Sequence, residues 1–407
     1  MNHKFSQISK DFKFDHIKLS SDQEFVFAGI IDWLHTLPSP YLTVGGYAGT
    51  GKTTLISLLR KKIHQSHPNL KIGFASFIGK ASENLRGKLV IAKAIYKGDS
   101  CGTIHRLMYK AETNGKGEII NWLRIDEIKK DLIIIDEASM LTAKIWSDLL
   151  SYQIPIIAFG DHGQLPPIGD DFNLMENLHL KLEKIHRQSE GNHIISLATK
   201  ARLGEKIEVK NYDAKIKKIS KKSPESGEFC DSFFAQFDDD SLVLVGTNKS
   251  RIQINHAIRT AKEIFSTEPV AGDKVVCLKN IYDNPSGDIF NGMTGVIESI
   301  APHKKHWYLV HIIFPQEDRA YQGKISKYQF DHPTPIRSVR GVKREEIGEL
   351  FDFGYALTVH KAQGSEAKRV LIIDESFLFN RDGDDQSKKW LYTAITRAQE
   401  ELCILGY

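Results

Sequence analysis

At 407 residues the chain is too long for one ordinary hydrophobic core, and a hydrophobic content of 41% is enough to fill two or three. The 55 basic and 51 acidic side chains leave a net charge of only +4, which permits a polyanionic partner without demanding one, so any nucleic-acid site must be a local groove. The four cysteines, Cys101, Cys230, Cys277 and Cys403, share no metal-ligand or disulfide spacing, MNHKFSQISKDFKF carries no apolar signal core, and no apolar run is long enough to cross a membrane; a soluble protein of a reducing compartment is expected.

In chain order, Gln23 in LSSDQEFVF stands before a helix, and short β-branched runs then recur between amphipathic stretches. They are YLTV at 41–44, KIGFAS at 71–76, LIIID at 132–136 and PIIAFG at 155–160. This rhythm predicts a parallel sheet with crossover helices. Between Leu107 and Trp122 the dipeptide Asn114-Gly115, flanked by LMYKAE and EIINWL, predicts an inserted β-hairpin. A second α/β set follows a border near residue 195: SLVLVGTN at 241–248, YALTVH at 355–360, RVLIID at 369–374 and ELCILG at 401–406. From 272 to 350 the chain turns to short alternating strands, KVVCLKN, TGVIESI, WYLVHIIF and KISKYQF, which predict a small inserted β-barrel with Phe290-Asn291-Gly292-Met293-Thr294-Gly295 as a tight turn. Residues 206–240 are charged and irregular and take no assignment.

The decisive string is Gly46-Tyr47-Ala48-Gly49-Thr50-Gly51-Lys52-Thr53, followed by Thr54, which satisfies the phosphate-loop pattern between a predicted strand and a predicted helix. Its glycines let backbone N–H groups turn inward around phosphates, Lys52 brings a cation to the β and γ phosphates, and Thr53 offers a hydroxyl to Mg²⁺. LIIIDEASM then puts Asp136 and Glu137 at the end of a buried strand, where a carboxylate pair is costly unless it has work to do. Downstream of a phosphate loop, Asp136 is expected to hold Mg²⁺ through its water shell and Glu137 to orient and deprotonate the attacking water. In GDHGQLPP, Asp161 and Gln164 follow another strand, and the Gln164 amide suits a sensor of the γ-phosphate.

With these strings in place the sequence resembles the superfamily-1 helicases, and within them the 5′-to-3′ branch that includes RecD and the bacteriophage Dda helicase, the latter being nearest in size and layout. LEKIHRQ, VGTNKSRIQINHAIR, GYALTVHKAQGSE and YTAITRA complete the ordered set over residues 20–407. The resemblance implies an α/β fold of two RecA-like parallel-sheet motor domains, with a β-hairpin insertion in the first and an SH3-like β-barrel insertion in the second. The expected spans are 1–195 for the first motor domain, 196–271 and 351–407 for the second, and 272–350 for the barrel. It also makes Arg187 and Arg397 fingers on the γ-phosphate, Gln23 the reader of the adenine edge, and Gly364 and Glu366 members of the nucleotide set.

For the nucleic acid, the resemblance points to Thr103 and His105 in the first domain, and to Thr247, Asn248, Lys249, Thr358, His360 and Lys361 in the second, as donors to phosphates. The family's Ala-Pro-Thr string is absent; Ala75-Ser76-Phe77-Ile78-Gly79-Lys80 stands there instead, with Phe77 either a stacking surface or core and Lys80 on a phosphate. The hairpin falls where this branch carries its strand-separating pin, and Tyr109 and Trp122 either cap a base pair or pack on the domain beneath. The implied activity is ATP-dependent DNA unwinding with Mg²⁺. The implied partners are single-stranded DNA, duplex forks and single-strand binding, replication or recombination proteins; the chain would be a cytoplasmic monomer, in a host cytoplasm if viral. An RNA helicase, the opposite polarity, or an ATP-gated strand-binding and remodelling protein that does not unwind remain the alternatives, since no residue tests for a 2′-hydroxyl.

Overall fold

The computed structural model describes residues 5, 8, 18–113, 119–166, 172–184, 193–282, 284–302, 305–315, 319–336, 338–343, 346–382 and 384–407. The chain divides into two compact units, Met1–Gly191 and Asn192–Tyr407. Each is an α/β body around a largely parallel sheet, as expected of two RecA-like domains.

The first unit runs α1 (Ser21–Thr36), β1 (Tyr41–Gly46), α2 (Lys52–Ser66), β2 (Ile72–Ser76), α3 (Gly79–Ile91), β3 (Ser100–Thr103), α4 (Ile104–Met108), β4 (Tyr109–Thr113), β5 (Ile119–Arg124), β6 (Leu132–Asp136), α5 (Ala143–Leu150), β7 (Ile156–Gly160) and β8 (Leu180–Leu182). Among the described residues its sheet has the order β3-β2-β6-β7-β1-β8, and all its pairings are parallel. LIIID is apolar throughout because both faces of β6 are covered. Ile134 turns into the core built with α1 and α2, beside Phe27, Leu58 and Phe159, while Ile133 and Ile135 turn into the core containing Trp146 and Leu149. Each such isoleucine, wholly buried, contributes about 1.5–3 kcal/mol relative to exposure.

The hairpin lies two residues later than the sequence suggested: Leu107 and Met108 end α4, and the strands pair from Tyr109↔Arg124 through Ala111↔Trp122. Its Asn114-Gly115 turn lies outside the described residues, as does Arg187. The base is fastened to α5, where the Tyr109 hydroxyl donates to Asp148 Oδ2 at 2.8 Å and the Tyr152 hydroxyl donates to the carbonyls of Met108 (3.1 Å) and Ile125 (2.8 Å).

The second unit runs α6 (His193–Leu203), β9 (Lys210–Asn211), β10 (Ile216–Ser220), α7 (Glu225–Ala235), β11 (Ser241–Val245), α8 (Asn248–Ala261), β12 (Lys274–Cys277), β13 (Thr294–Pro302), β14 (Trp307–Phe314), β15 (Arg319–Ser326), β16 (Phe351–Phe353), β17 (Ala356–Thr358), β18 (Ala367–Ile373), α9 (Asp384–Ile395) and β19 (Ala398–Gly406). Its main sheet has the order β17-β11-β18-β19-β10-β9, parallel but for the β9 edge. The segment 206–240 thus supplies β9, β10 and α7. Its strand was hidden by lysines: Lys218 is buried in IKKIS and donates to the carbonyls of Ile207 (3.1 Å) and Tyr407 (3.2 Å).

The alternating strands form an antiparallel sheet in the order β15-β14-β13-β12-β16. A bridge from Ile325 to Glu349, with Ser326 N donating to Glu349 O at 2.9 Å and Glu349 N to Lys324 O at 2.8 Å, joins β15 to the chain entering β16 and closes the ring. Buried arginines of α8 tie this barrel to the main sheet. Arg259 forks onto Asp273 (2.9 and 3.1 Å), which also accepts from the Tyr355 hydroxyl at 2.8 Å, and Arg251 pairs with Asp352 at 2.7 Å. Among the described residues no helix is long and apolar enough to cross a membrane.

Candidate nucleotide site and nucleic-acid track

The phosphate loop leaves the carboxyl end of β1, and its two turning glycines take left-handed backbone, φ 82° at Gly49 and 87° at Gly51. A side chain is excluded at Gly51 on a second ground, because a Cβ there would lie 2.5 Å from Gln23 Nε2. At Gly46 a Cβ would meet Thr50 Oγ1 at 2.6 Å. The loop's N–H groups and the start of α2, whose first turn has no acidic residue, make an anion-binding concavity. The Lys52 ammonium is held over it by the carbonyls of Gly46 (2.6 Å) and Tyr47 (3.1 Å). Gln23 closes one side: its Oε1 accepts from Ser20 N at 3.1 Å in a capping box, and its Nε2 donates to Thr50 O at 3.0 Å. Both ends of the amide are therefore engaged with the chain.

At the ends of β6 and β7 the acidic groups converge. Asp136, nearly buried, accepts from the Thr53 hydroxyl at 3.4 Å and from Glu137 N at 3.0 Å. This pair of hard oxygen donors fits Mg²⁺, which is bound through one or two protein oxygens and retained waters. Glu137 sits in left-handed backbone at φ 56°, a conformation that costs a non-glycine residue about 1–2 kcal/mol. Gln164 is buried, donates from Nε2 to Asp161 Oδ2 at 3.4 Å, and among the described residues its Oε1 has no hydrogen-bond partner. Asp161 also accepts from Gly163 N at 2.9 Å. A buried, unpaired amide oxygen is costly and belongs where a ligand completes it. The Ser139 hydroxyl, just after Glu137, is likewise buried without a partner; the sequence reading passed it over, and its place beside the acid pair is the signal that marks it.

In the first unit the track candidates gather because β2 and β3 are paired, Ser76 opposite Thr103, so their carboxyl ends emerge side by side. Thr103 is buried and caps α4, accepting from Arg106 N at 3.2 Å. The His105 ring lies 5.8 Å from Tyr109 and 6.1 Å from the half-buried Phe77. Burial pushes the His105 pKa down, so at neutral pH it offers hydrogen bonding and a ring face and no charge. Lys80 is nearly buried in α3.

The second unit repeats the device. Val245 pairs with Thr358, so the segments after β11 and β17 lie together: Thr247, which caps α8 by accepting from Ser250 N at 3.1 Å, Asn248, Lys249, His360 and Lys361. Burial lowers the His360 pKa as well. Glu375, not flagged by the sequence reading, accepts from the N–H groups of Gly246 (2.6 Å) and Thr247 (3.2 Å) and from the Ser250 hydroxyl. The only sequence signal for it is an acid just past a buried strand. Gly364 takes φ 75°, and Glu366 accepts from Gln399 Nε2 at 2.9 Å. Arg397 is buried and turned inward, donating to Thr393 O (3.1 Å), Ser365 O (3.2 Å) and Thr396 Oγ1 (3.1 Å).

An AAA domain family matches residues 29–220, and a UvrD-like helicase C-terminal domain family matches residues 353–405. The chain is 25% identical to the RecBCD enzyme subunit RecD of Buchnera aphidicola, with 91% of this chain and 71% of the relative covered. It is 25% identical to the ATP-dependent RecD2 DNA helicase of Deinococcus radiodurans, with 89% of this chain but only 46% of that protein covered. A Pif1 helicase from Bacteroides, solved in complex with ADP-AlF3 and single-stranded DNA, superposes with a TM-score of 0.52 at 19% identity, covering 95% of this chain and 92% of that one. A Pif1 helicase from Candida albicans gives 0.50 at 17%, covering 96% and 95%. At such identities these structures speak for the fold. One family spans the phosphate loop, the acid pair and Gln164, the other the HKAQG segment and Arg397, and the RecD-type relatives match across both, so the chain is similar to RecD-type helicases through both of its units.

Proposed function

We propose that the chain hydrolyses ATP to move 5′ to 3′ along single-stranded DNA and to part the duplex ahead of it. One observation supports the ATPase part of this above the others: Asp136, at the end of β6, accepts from the hydroxyl of Thr53 in the phosphate-loop string and from the backbone N of Glu137. Lys52 exchanges its loop carbonyls for the β and γ phosphates, and Glu137 takes the proton of the attacking water. Gln164 offers its unpaired Oε1 to that water and so reports the γ-phosphate. Thr53 and Asp136 are the residues that would hold Mg²⁺, which neutralises phosphate charge when bound. Arg187 and Arg397 supply positive charge to the γ oxygens. Arg397 Nη1 donates to Ser365 O, which links the finger to the segment that begins at His360 and Lys361.

Thr103, His105, Thr247, Asn248, Lys249, Thr358, His360 and Lys361 serve as the phosphate track, with Phe77 and Lys80 at its first-unit end. The barrel is read as SH3-like and the hairpin as the pin. Tyr109 anchors its base through Asp148, so the wedge falls to the residues beyond it. The protein works as a cytoplasmic monomer with single-stranded DNA, forks and single-strand binding or recombination proteins as partners.

Tailed duplexes test this together: one with a 5′ tail, one with a 3′ tail and an RNA version, each with ATP turnover measured alongside. The expected result is unwinding of the 5′-tailed DNA and an ATPase that rises about tenfold or more with single strands, because the strand favours the hydrolysing state. An ATPase indifferent to DNA would leave the non-unwinding remodeller as the better reading. Unwinding of the 3′-tailed or RNA substrate alone would overturn the polarity or the substrate.

A further inference from the structure

A side chain of the inserted barrel reaches the track at Lys361. Lys361 Nζ donates to Asn291 Oδ1 in the barrel's tight turn. That turn is fixed from within: Gly292 N donates to Cys277 O at 2.8 Å, Cys277 N to Met293 O at 2.9 Å, and Asn291 N to Asn280 Oδ1 at 2.7 Å, with Asn280 Nδ2 held in turn by the Tyr282 hydroxyl at 2.7 Å. Gly292 takes φ 91°, and a Cβ there would lie 3.8 Å from the Lys361 carbonyl, so the turn passes close to the lysine's own backbone.

An amide oxygen directs an ammonium without neutralising it, which a carboxylate in its place would do. The charged and titratable groups around Lys361 are Cys277 on β12, Arg251 on α8 and Asp352 in β16, and of these Arg251 and Asp352 already satisfy each other at 2.7 Å. Burial pushes the Lys361 pKa down to about 8, the behaviour of a cation that lacks its counter-ion.

We infer that Asn291 is a positioning residue, holding the Lys361 ammonium in the direction of a strand phosphate and thereby making the inserted barrel part of the second unit's grip on single-stranded nucleic acid. The inference rests on Lys361 being a phosphate contact.

Binding of a fluorescent oligo-dT, followed by anisotropy against salt and pH, tests both. K361A should lower the slope of log affinity against log salt by about 0.7, the loss of one single-strand phosphate contact. N291A should weaken binding about two- to tenfold, the loss of one directing hydrogen bond. N291D, which pairs the ammonium, should lower the salt slope as K361A does. It should also move to higher pH the loss of affinity expected of wild type once Lys361, whose pKa burial lowers to about 8, deprotonates. Melting curves and DNA-free ATPase of the two Asn291 variants should match wild type. If K361A weakens binding while N291A and N291D keep wild-type affinity, slope and pH profile, the positioning role is overturned and the phosphate contact stands. If K361A itself changes nothing, both fall.

Discussion

Glu137→Gln separates the base from everything else at the nucleotide site. The carboxylate is replaced by an amide of the same shape, so the main-chain link from residue 137 N to Asp136 Oδ1 at 3.0 Å and the Thr53–Asp136 contact are left in place. General base catalysis contributes about 10²- to 10⁴-fold, equivalent to about 3–5 kcal/mol of barrier, and that is the expected loss in turnover at saturating ATP and single-stranded DNA. Affinity for a fluorescent ATP analogue should stay within about threefold, since only transition-state interactions are removed. Glu137→Gly provides a second arm from the backbone. It removes the same carboxylate and also relieves the left-handed strain at φ 56°, so it should be as inactive as the glutamine variant yet no less stable, with up to about 1 kcal/mol gained. A glutamine variant that hydrolyses ATP within about threefold of wild type would refute the base assignment. One that no longer binds nucleotide would show that Asp136 and Glu137 do not divide their work as argued.

Lys52→Ala should abolish ATP turnover and leave the melting curve unchanged, because its ammonium contacts only loop carbonyls and not the core. Arg259→Met strands the buried Asp273 carboxylate and should cost about 3–5 kcal/mol, read as early melting of the second unit while nucleotide binding in the first persists. Shortening residues 110–118 to a two-residue turn should remove duplex unwinding and preserve DNA-stimulated ATPase; loss of both would mean that the hairpin belongs to the core beneath it.

The candidate nucleotide site could be placed from the sequence because phosphate binding is written locally: a contiguous loop follows one strand and opens one helix, Asp136 ends a second strand and Gln164 lies just past a third. The two α/β units were legible for a related reason, since strands covered on both faces are dominated by apolar residues, as Leu132 to Ile135 of β6 show. Elsewhere long-range pairing carried the information. Lys218 reads as a surface residue until the carbonyls of Ile207 and Tyr407 are seen to receive its ammonium. The hairpin span was placed two residues early, since nothing local marks Leu107 and Met108 as the end of α4, and the Tyr109–Asp148 bond at the hairpin base joins residues 39 apart in sequence. Gln23 looked like a free adenine reader, yet its amide spans the Ser20 cap and the Thr50 carbonyl. That arrangement makes it a strut of the phosphate loop.

Arg397 shows how the two halves of the chemistry are joined in the second unit. A guanidinium has a fixed fork of donors, and here its Nε and both terminal nitrogens are spent on Thr393, Ser365 and Thr396. Ser365 stands between Gly364, whose φ of 75° marks a backbone that glycine alone adopts cheaply, and Glu366, which is tied to Gln399. The same short segment begins at His360 and Lys361. The three contacts use three of its five N–H groups; if Arg397 swings to the γ-phosphate far enough to part Nη1 from the Ser365 carbonyl, the segment that carries the track loses that tether, and the two sites are coupled through one hydrogen bond of 3.2 Å.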